Sequence, residues 1–172
     1  MCGFMGTGKS SVGKRLAALI DYTFLDLDTE IEAEAGMSIP EIFSSQGEPA
    51  FRALESSMIE RVACRTNCVI AAGGGAVVNP KNLQNLRRCG IIVTLTANVQ
   101  TILSRVGTGD DRPMLRQGNR QERIRELMEK RKDAYAQADI IQDTTALNID
   151  AVAHNLVERL RDFGFALDEK PS

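Results

Sequence analysis

Residues 3–10 read Gly3-Phe4-Met5-Gly6-Thr7-Gly8-Lys9-Ser10 and match the pattern G-x-x-x-x-G-K-[ST] at every required position. In this pattern the glycines let successive backbone N–H groups point at one anion, while the lysine reaches the β- and γ-phosphates and the serine hydroxyl ligates Mg²⁺. The stretch therefore predicts a nucleoside triphosphate site, placed at the turn between a buried parallel strand and a helix. Only Met1 and Cys2 precede it, which is too short for that strand, so we expect an altered or truncated start.

The composition narrows the class of protein. The chain has 172 residues, 43% of them hydrophobic, with a formal net charge of -2, which fits one compact domain and small anionic ligands. The sequence has no dense stripe of lysine and arginine, so its charge pattern does not indicate a nucleic-acid partner. The longest nearly apolar stretch, residues 68–78, is interrupted by three glycines, and there is no secretory pattern. We therefore expect a soluble cytoplasmic protein with no membrane partner.

We expect neither a metal site nor a catalytic site at the cysteines or the histidine. Cys2, Cys64, Cys68 and Cys89 show neither C-x-x-C spacing nor a histidine cluster. Free cysteine behaves as a small hydrophobe, so we expect buried free thiols rather than metal ligands or disulfides. The single histidine, His154, is expected to be structural or exposed to solvent.

Short apolar runs alternate with longer helical patterns, which is typical of βαβ units and a parallel sheet. The predicted strands after the first are Tyr22 to Leu25, Cys68 to Ala72, Ile91 to Leu95 and Asp139 to Gln142. The predicted helices are Ser10 to Ile20, one opened by the capping box at Ser38, one opened by Asn79-Pro80, one capped by Asn98, Arg120 to Ala138, and Asn148 to Phe163. Residues 107–118 predict a lid loop, and residues 168–172 a disordered tail.

Two carboxylates leave the end of a predicted strand in Phe24-Leu25-Asp26-Leu27-Asp28. Ligands of open α/β sheets bind outside the carboxyl ends of the strands, so both acids should face the phosphate-loop crevice. One can order Mg²⁺ and the other can accept a proton or hydrogen bond from a substrate hydroxyl. The alternative is that one aspartate caps the helix beginning near Asp28, and both roles can coexist on different oxygens.

Gly73-Gly74-Gly75 follows the next buried strand directly, where many phosphate-loop proteins place an aspartate for Mg²⁺. The metal role would then pass to Ser10 and Asp26. Three glycines allow a close approach of backbone to ligand, and the alternative is a tight turn.

Two arginines, Arg52 and Arg131, complete the pattern. Each alone is most often a solvated surface charge. A planar guanidinium is also the preferred partner of a small carboxylate, so the pair favours an acceptor that carries one.

Together these motifs resemble the shikimate kinases from Gly3 to about Asp143. The matching pieces are the phosphate loop, Phe-Leu-Asp-Leu-Asp, Glu48 to Arg52 followed by Glu55, the three glycines, Arg112-Pro113-Met114-Leu115, and Arg131 with Tyr135. The resemblance implies transfer of the γ-phosphoryl group of ATP to the 3-hydroxyl of shikimate, giving 3-phosphoshikimate and ADP, on the route to chorismate and the aromatic amino acids. It also implies ATP as co-substrate and Mg²⁺.

The resemblance further implies a role for each matching residue. Catalytic roles go to Asp28, Lys9 and Arg112, the last in the lid. Shikimate would be held by Asp28, Arg52, Gly73, Gly74, Gly75 and Arg131. ATP would be held by Gly6, Thr7, Gly8, Lys9, Ser10, Ser11, Arg105 and Arg112, and Mg²⁺ by Ser10 and Asp26. Arg105 would stack on adenine unless it is a surface residue, and Asp143-Thr144-Thr145 would form the other side of that site.

The implied fold is the α/β P-loop kinase three-layer sandwich, with a five-stranded parallel sheet in the order 2-3-1-4-5 and its first strand largely missing. A single domain, residues 1–167, and a monomer are expected. Loss of the central strand would leave its neighbours with unpaired backbone groups, each costing about 1 to 3 kcal/mol if buried. Two alternatives stay open: a related kinase of gluconate or of a nucleoside monophosphate, and a module that binds nucleotide or a partner without catalysis.

Overall fold

The computed structural model describes residues 1–106, 119–146 and 148–165. The predicted lid at 107–118, with Arg112, and the predicted tail at 168–172 lie outside these residues. Both therefore stay predictions. Within the described part of the chain, no helix is both long enough and apolar enough to cross a bilayer.

Five parallel strands form the centre of the fold, and seven α-helices are described around them. The strands are β1 (Cys2–Gly3), β2 (Thr23–Asp26), β3 (Cys68–Ala71), β4 (Val93–Thr96) and β5 (Ile140–Asp143). The helices are α1 (Lys9–Leu19), α2 (Leu27–Ala35), α3 (Ile39–Val62), α4 (Pro80–Arg87), α5 (Val99–Val106), α6 (Arg120–Ala136) and α7 (Ile149–Asp162). A short 3₁₀ helix, Ala76–Val78, was not predicted from the sequence.

The strand order is 2-3-1-4-5, as predicted. β2 pairs with β3, and β1 pairs with β4, which pairs with β5. The backbone of Met1 joins the two groups, because its nitrogen donates to Ile70 O at 2.5 Å and its oxygen accepts from Ala72 N at 2.8 Å. The first strand is only two residues long, and Met1 continues its pairing on the β3 side.

The predicted start signals of the helices are confirmed. Ser38 and Glu41 form a reciprocal capping box at the start of α3. The side chains of Asn79 and Asn98 cap α4 and α5 as predicted, and Asn119 and Asn148, which were not singled out as caps, cap α6 and α7. Side-chain capping satisfies N–H groups that the first turn of a helix leaves without partners, so these polar residues fix where each helix begins.

The long helix α3 is interrupted at Gly47, where φ is 81° and ψ is 170°. Glycine tolerates this positive φ without steric cost, and Pro49 then restarts the helix. Arg52 lies on the second arm, so the kink determines the direction from which it approaches the sheet.

Apolar residues fill both faces of the sheet, which gives the predicted three layers. α1 and α7 cover one face, and the buried side chains there include Val12, Leu16, Val152 and Leu156. The helices α4, α5 and α6 cover the other face, with Leu83, Ile102, Ile124 and Leu127. α2 and α3 close the β2–β3 side around Leu27, Ile31, Ile42 and Ile59.

The prediction that all four cysteines are free thiols is wrong for two of them. Cys64 and Cys89 form a disulfide across 25 residues, whereas Cys2 and Cys68 are free. The two bonded residues are exposed and follow the last turns of α3 and α4, which pack side by side. Their proximity depends on tertiary packing, so sequence spacing gives no sign of it. His154 is exposed, within the predicted alternatives.

Candidate active site

The phosphate loop runs from β1 into α1. Gly6 and Gly8 have φ values of 77° and 92°, which the glycines of the motif permit. The Thr7 hydroxyl donates to Phe4 O at 2.8 Å, and Lys9 Nζ donates to the same oxygen at 3.1 Å. Gly8 begins α1 without a side-chain cap, so the positive end of the helix faces this loop. The arrangement suits a phosphate group.

Residues from five segments of the chain line a cleft of about 590 Å³ beside this loop. They include residues 5–12 of the loop and helix, Asp26 and Asp28 after β2, and Arg105, Thr144 and Asn148 from the opposite side. The structure therefore brings together residues 6–11 and Arg105, whereas of the predicted Asp143-Thr144-Thr145 only Thr144 lines this cleft.

Asp26 uses its two carboxylate oxygens for different partners. Oδ1 accepts from the backbone N of Asp28 at 3.1 Å and caps α2, while Oδ2 accepts from Ser10 Oγ at 2.6 Å. The capping aspartate is therefore Asp26 and not Asp28. The capping alternative therefore applies to Asp26, whose second oxygen contacts the phosphate loop, and Asp28 lies in the first turn of α2 at the edge of the cleft.

The three consecutive glycines pass three different side-chain groups. A Cβ atom would lie 2.8 Å from Glu55 Oε1 at Gly73, 3.2 Å from Arg131 Nη1 at Gly74, and 2.5 Å from Arg52 Nη1 at Gly75. None of the three has a positive φ. Their small size, rather than an unusual turn conformation, is what this site requires, because the backbone runs directly against charged groups.

Arg52 lies between two carboxylates on its own helix. Its Nη1 donates to Glu55 Oε2 at 2.8 Å, and its Nη2 donates to Glu48 Oε1 at 3.0 Å. Burial alone would lower the pKa of Arg52, but the negative charges of Glu55 and Glu48 outweigh burial and raise it. The guanidinium is therefore held charged in a fixed orientation.

Glu55 belongs to the sequence pattern, which implies no role for it. Its side chain is only 1% exposed, and its Oε1 has no hydrogen-bond partner. Burial raises the pKa of Glu55, although the positive charge of Arg52 opposes this. The i,i+3 spacing from Arg52 was the available signal, but desolvation of this carboxylate is visible only in the fold.

Arg131 is buried, with 8% of its surface exposed, so the surface-charge alternative is wrong for this residue. Its guanidinium carbon lies 5.7 Å from the centre of the Phe4 ring. Arg131 and Arg52 line one cleft of about 290 Å³, together with Glu48, Ser56, Gly75, Val78, Asn79 and Asn82. Two guanidinium groups from helices far apart in sequence thus face one small space.

Arg105 connects the phosphate loop to the loop after β5. Its Nη2 donates to Thr144 O at 2.7 Å, and its Nη1 donates to Thr144 Oγ1 at 3.0 Å and to Gly6 O at 3.4 Å. Thr144 is buried, and its hydroxyl also donates to Thr7 O at 3.1 Å. Arg105 is an exposed residue, as the alternative stated, but its hydrogen bonds hold it at the cleft.

The chain matches a known protein family over most of its length. The family model described as shikimate kinase matches residues 5–161. The chain belongs to the shikimate kinase family. As a member of this family, the protein is an ATP-dependent kinase.

Individual shikimate kinases agree in sequence and in structure. The enzyme of Geobacter sulfurreducens is 43% identical over 162 residues, which is 94% of this chain and 90% of that protein. The structure of shikimate kinase from Acinetobacter baumannii in complex with shikimate has a TM-score of 0.92 at 32% identity, covering 96% of this chain and 93% of that one. The Aquifex aeolicus shikimate kinase has a TM-score of 0.83 at 30% identity, covering 95% and 98%.

Proposed function

We propose that this protein transfers the γ-phosphoryl group of ATP to the 3-hydroxyl of shikimate, giving 3-phosphoshikimate and ADP, in the synthesis of chorismate and aromatic amino acids. One observation carries the choice of acceptor. Arg52 and Arg131 face a single small cleft, and Arg131 also packs on Phe4 of the phosphate loop, which favours an acceptor with a carboxylate over a neutral sugar. Gluconate carries a carboxylate too, and the family of the chain favours shikimate over it.

In the donor half, Gly6, Thr7, Gly8, Lys9, Ser10 and Ser11 would hold the phosphates of ATP. Lys9 would contact the β- and γ-phosphates, and Arg105 with Thr144 would border the adenine. This assignment is supported by the cleft that these residues line.

The residues at the phosphate loop fit Mg²⁺. Protein sites usually hold this ion through one or two carboxylates together with substrate phosphates and water, and the Ser10 hydroxyl beside the Asp26 carboxylate is such a donor pair. When bound, the ion would neutralise charge on the phosphates. Three clustered carboxylate, cysteine or histidine ligands do not occur among the described residues, and this mode of binding does not need them.

In the acceptor half, Arg52 and Arg131 would bind the carboxylate of shikimate, and the backbone of Gly73, Gly74 and Gly75 would border its ring. Asp28 would accept the hydrogen bond of the 3-hydroxyl and take its proton as the phosphoryl group arrives. Phosphoryl transfer depends mainly on positioning and charge stabilisation. We also propose that Arg112 contacts the transferring group, as the family pattern implies.

The test is ADP release by purified, folded protein with Mg-ATP and either shikimate, gluconate or a nucleoside monophosphate. We expect turnover with shikimate alone. Turnover with another acceptor only would overturn the substrate assignment, and nucleotide binding without any turnover would favour a non-catalytic module.

The variant Arg131→Ala makes the acceptor test sharper. The unmodified protein should prefer shikimate strongly over its analogue in which a hydroxymethyl group replaces the carboxylate. Because Arg131 would bind that carboxylate, the variant should require more shikimate and lose much of this preference. An unchanged preference would remove Arg131 from the acceptor site.

We further propose that the protein acts as a cytoplasmic monomer of one domain, residues 1–167, without nucleic-acid or membrane partners. The net charge of -2 and the lack of a dense run of lysine and arginine support the claim that nucleic acid is not a partner. Light scattering at working concentration tests the oligomeric state, and a dimer mass would contradict it.

A further inference from the structure

Tyr135 belongs to the pattern shared with the shikimate kinases but is not among the residues proposed to hold either substrate. It lies on α6 four residues after Arg131, so both side chains project from the same face of the helix. The tyrosine is 8% exposed, and its hydroxyl donates to Gly74 O at 2.6 Å across 61 residues of sequence. This contact joins α6 to the glycine loop.

The carbonyl groups of the three glycines are all held by hydrogen bonds. Gly73 O accepts from Ala76 N at 3.0 Å, and Gly75 O accepts from Val78 N at 3.1 Å, both within the local turn. Gly74 O alone is held by a side chain, that of Tyr135. Since glycines have no side chains to pack, these bonds are what fix the direction of the loop's peptide planes.

The direction of Gly74 O determines the direction of the next N–H group. A trans peptide is planar, so the N–H of Gly75 points opposite to Gly74 O and therefore away from Tyr135. Gly75 lines the cleft shared by Arg52 and Arg131. The tyrosine hydrogen bond thus fixes the direction of one backbone donor in a residue that lines this cleft.

The Tyr135 hydroxyl keeps its proton and can therefore always donate this hydrogen bond. Burial raises the pKa of Tyr135 to about 12, against the positive charge of Arg131, which lowers it. At neutral pH the hydroxyl stays protonated.

We propose that Tyr135 is a positioning residue for the acceptor: by holding Gly74 O it aims the Gly75 N–H at shikimate. This inference rests on the proposed function for its substrate. The contact between Tyr135 and the loop can nevertheless be measured without any substrate.

The variant Tyr135→Phe removes only the hydroxyl, and Tyr22→Phe is a matched control because the chain has two tyrosines. Tyr22 packs against Phe165, with ring centres 6.3 Å apart, and lines neither the ATP cleft nor the acceptor cleft. For Tyr135→Phe we expect the KM for shikimate to rise about three- to tenfold, which is the effect of one ordinary hydrogen bond. The kcat and the KM for ATP should stay within about twofold, and the control should change neither constant.

Hydrogen exchange of residues 73–78 in the ligand-free protein provides the second measurement. Tyr135→Phe should accelerate exchange there, whereas Tyr22→Phe should not. An unchanged KM for shikimate in an active Tyr135→Phe variant would overturn the inference. Equal rises in both KM values with a lowered melting temperature would also overturn it, because they indicate a general structural role.

The two hypotheses fail in different ways. If the unmodified protein shows no shikimate-dependent turnover, the proposed function is wrong, and exchange then decides whether Tyr135 holds the loop. If the unmodified protein is active and Tyr135→Phe has the same KM for shikimate, only the inference on Tyr135 is wrong.

Discussion

A Cβ atom on Gly75 would lie 2.5 Å from Nη1 of Arg52, closer than non-bonded atoms approach in folded proteins. The atom in the way is the far end of a flexible side chain. The chain can therefore fold with alanine at this position, but only by displacing the guanidinium from its place beside the glycine loop.

For Gly75→Ala we expect a rise of about tenfold or more in the KM for shikimate, since the displaced guanidinium loses a charged hydrogen bond worth about 1.5 to 3 kcal/mol. The KM for ATP should be nearly unchanged. The matched control is Gly90→Ala, whose Cβ would meet only Leu86 O at 3.7 Å. Steady-state kinetics with each substrate varied in turn tests this, and parallel losses for both substrates would contradict it.

Asp26→Asn separates the two roles of Asp26. Asparagine caps helices as well as aspartate does, so α2 should keep its cap and the melting temperature should change little. The carboxylate charge beside Ser10 is lost, and the Mg²⁺ concentration for half-maximal rate should rise about tenfold or more. Asp26→Ala should show the same Mg²⁺ effect and a further loss of about 1 kcal/mol in the free energy of unfolding. An unchanged Mg²⁺ requirement would exclude Asp26 from the metal site.

Asp28→Asn should lower turnover by about 10² to 10⁴, because the acceptor hydroxyl loses its proton acceptor. Nucleotide affinity, measured by calorimetry, should stay nearly intact. Glu30→Gln changes the other carboxylate in the same first turn and should leave the rate unchanged. If Asp28→Asn weakens nucleotide binding as much as it lowers turnover, Asp28 belongs to the metal.

Reduction of the Cys64–Cys89 disulfide should lower the free energy of unfolding by about 3 kcal/mol, since the bond closes a loop of 25 residues. Urea unfolding with and without dithiothreitol measures this difference. Cys64→Ser should behave like the reduced protein in both conditions. Cys68→Ser removes a free thiol, so dithiothreitol should still lower the free energy of unfolding of this variant in full. If dithiothreitol has no effect on Cys68→Ser, the disulfide involves Cys68 instead.

Local patterns predicted most of the secondary structure. The strand predicted at Cys68 to Ala72 is observed as Cys68–Ala71, and the helix start at Asn79-Pro80 is observed with Asn79 as its cap. Signals of this kind act within a few residues of backbone, so a single sequence contains them in full.

The features that the sequence did not predict depend on the fold. The kink at Gly47 needs a positive φ that a glycine permits but does not require. The desolvation of Glu55 depends on elements packed around it, and the contact between Tyr135 and Gly74 spans 61 residues. Phosphate-loop and glycine motifs thus identify the site, but its internal hydrogen bonds have no local pattern.

The two oxygens of the Asp26 carboxylate bind different parts of the chain, and this affects the entropy lost in catalysis. One of its oxygens holds the helix that presents Asp28, and the other holds the serine of the phosphate loop. The proposed donor and acceptor halves would thereby be preorganised relative to each other while the chain folds. The entropy of aligning them is then lost once, during folding, and need not be supplied again by binding energy in each catalytic cycle.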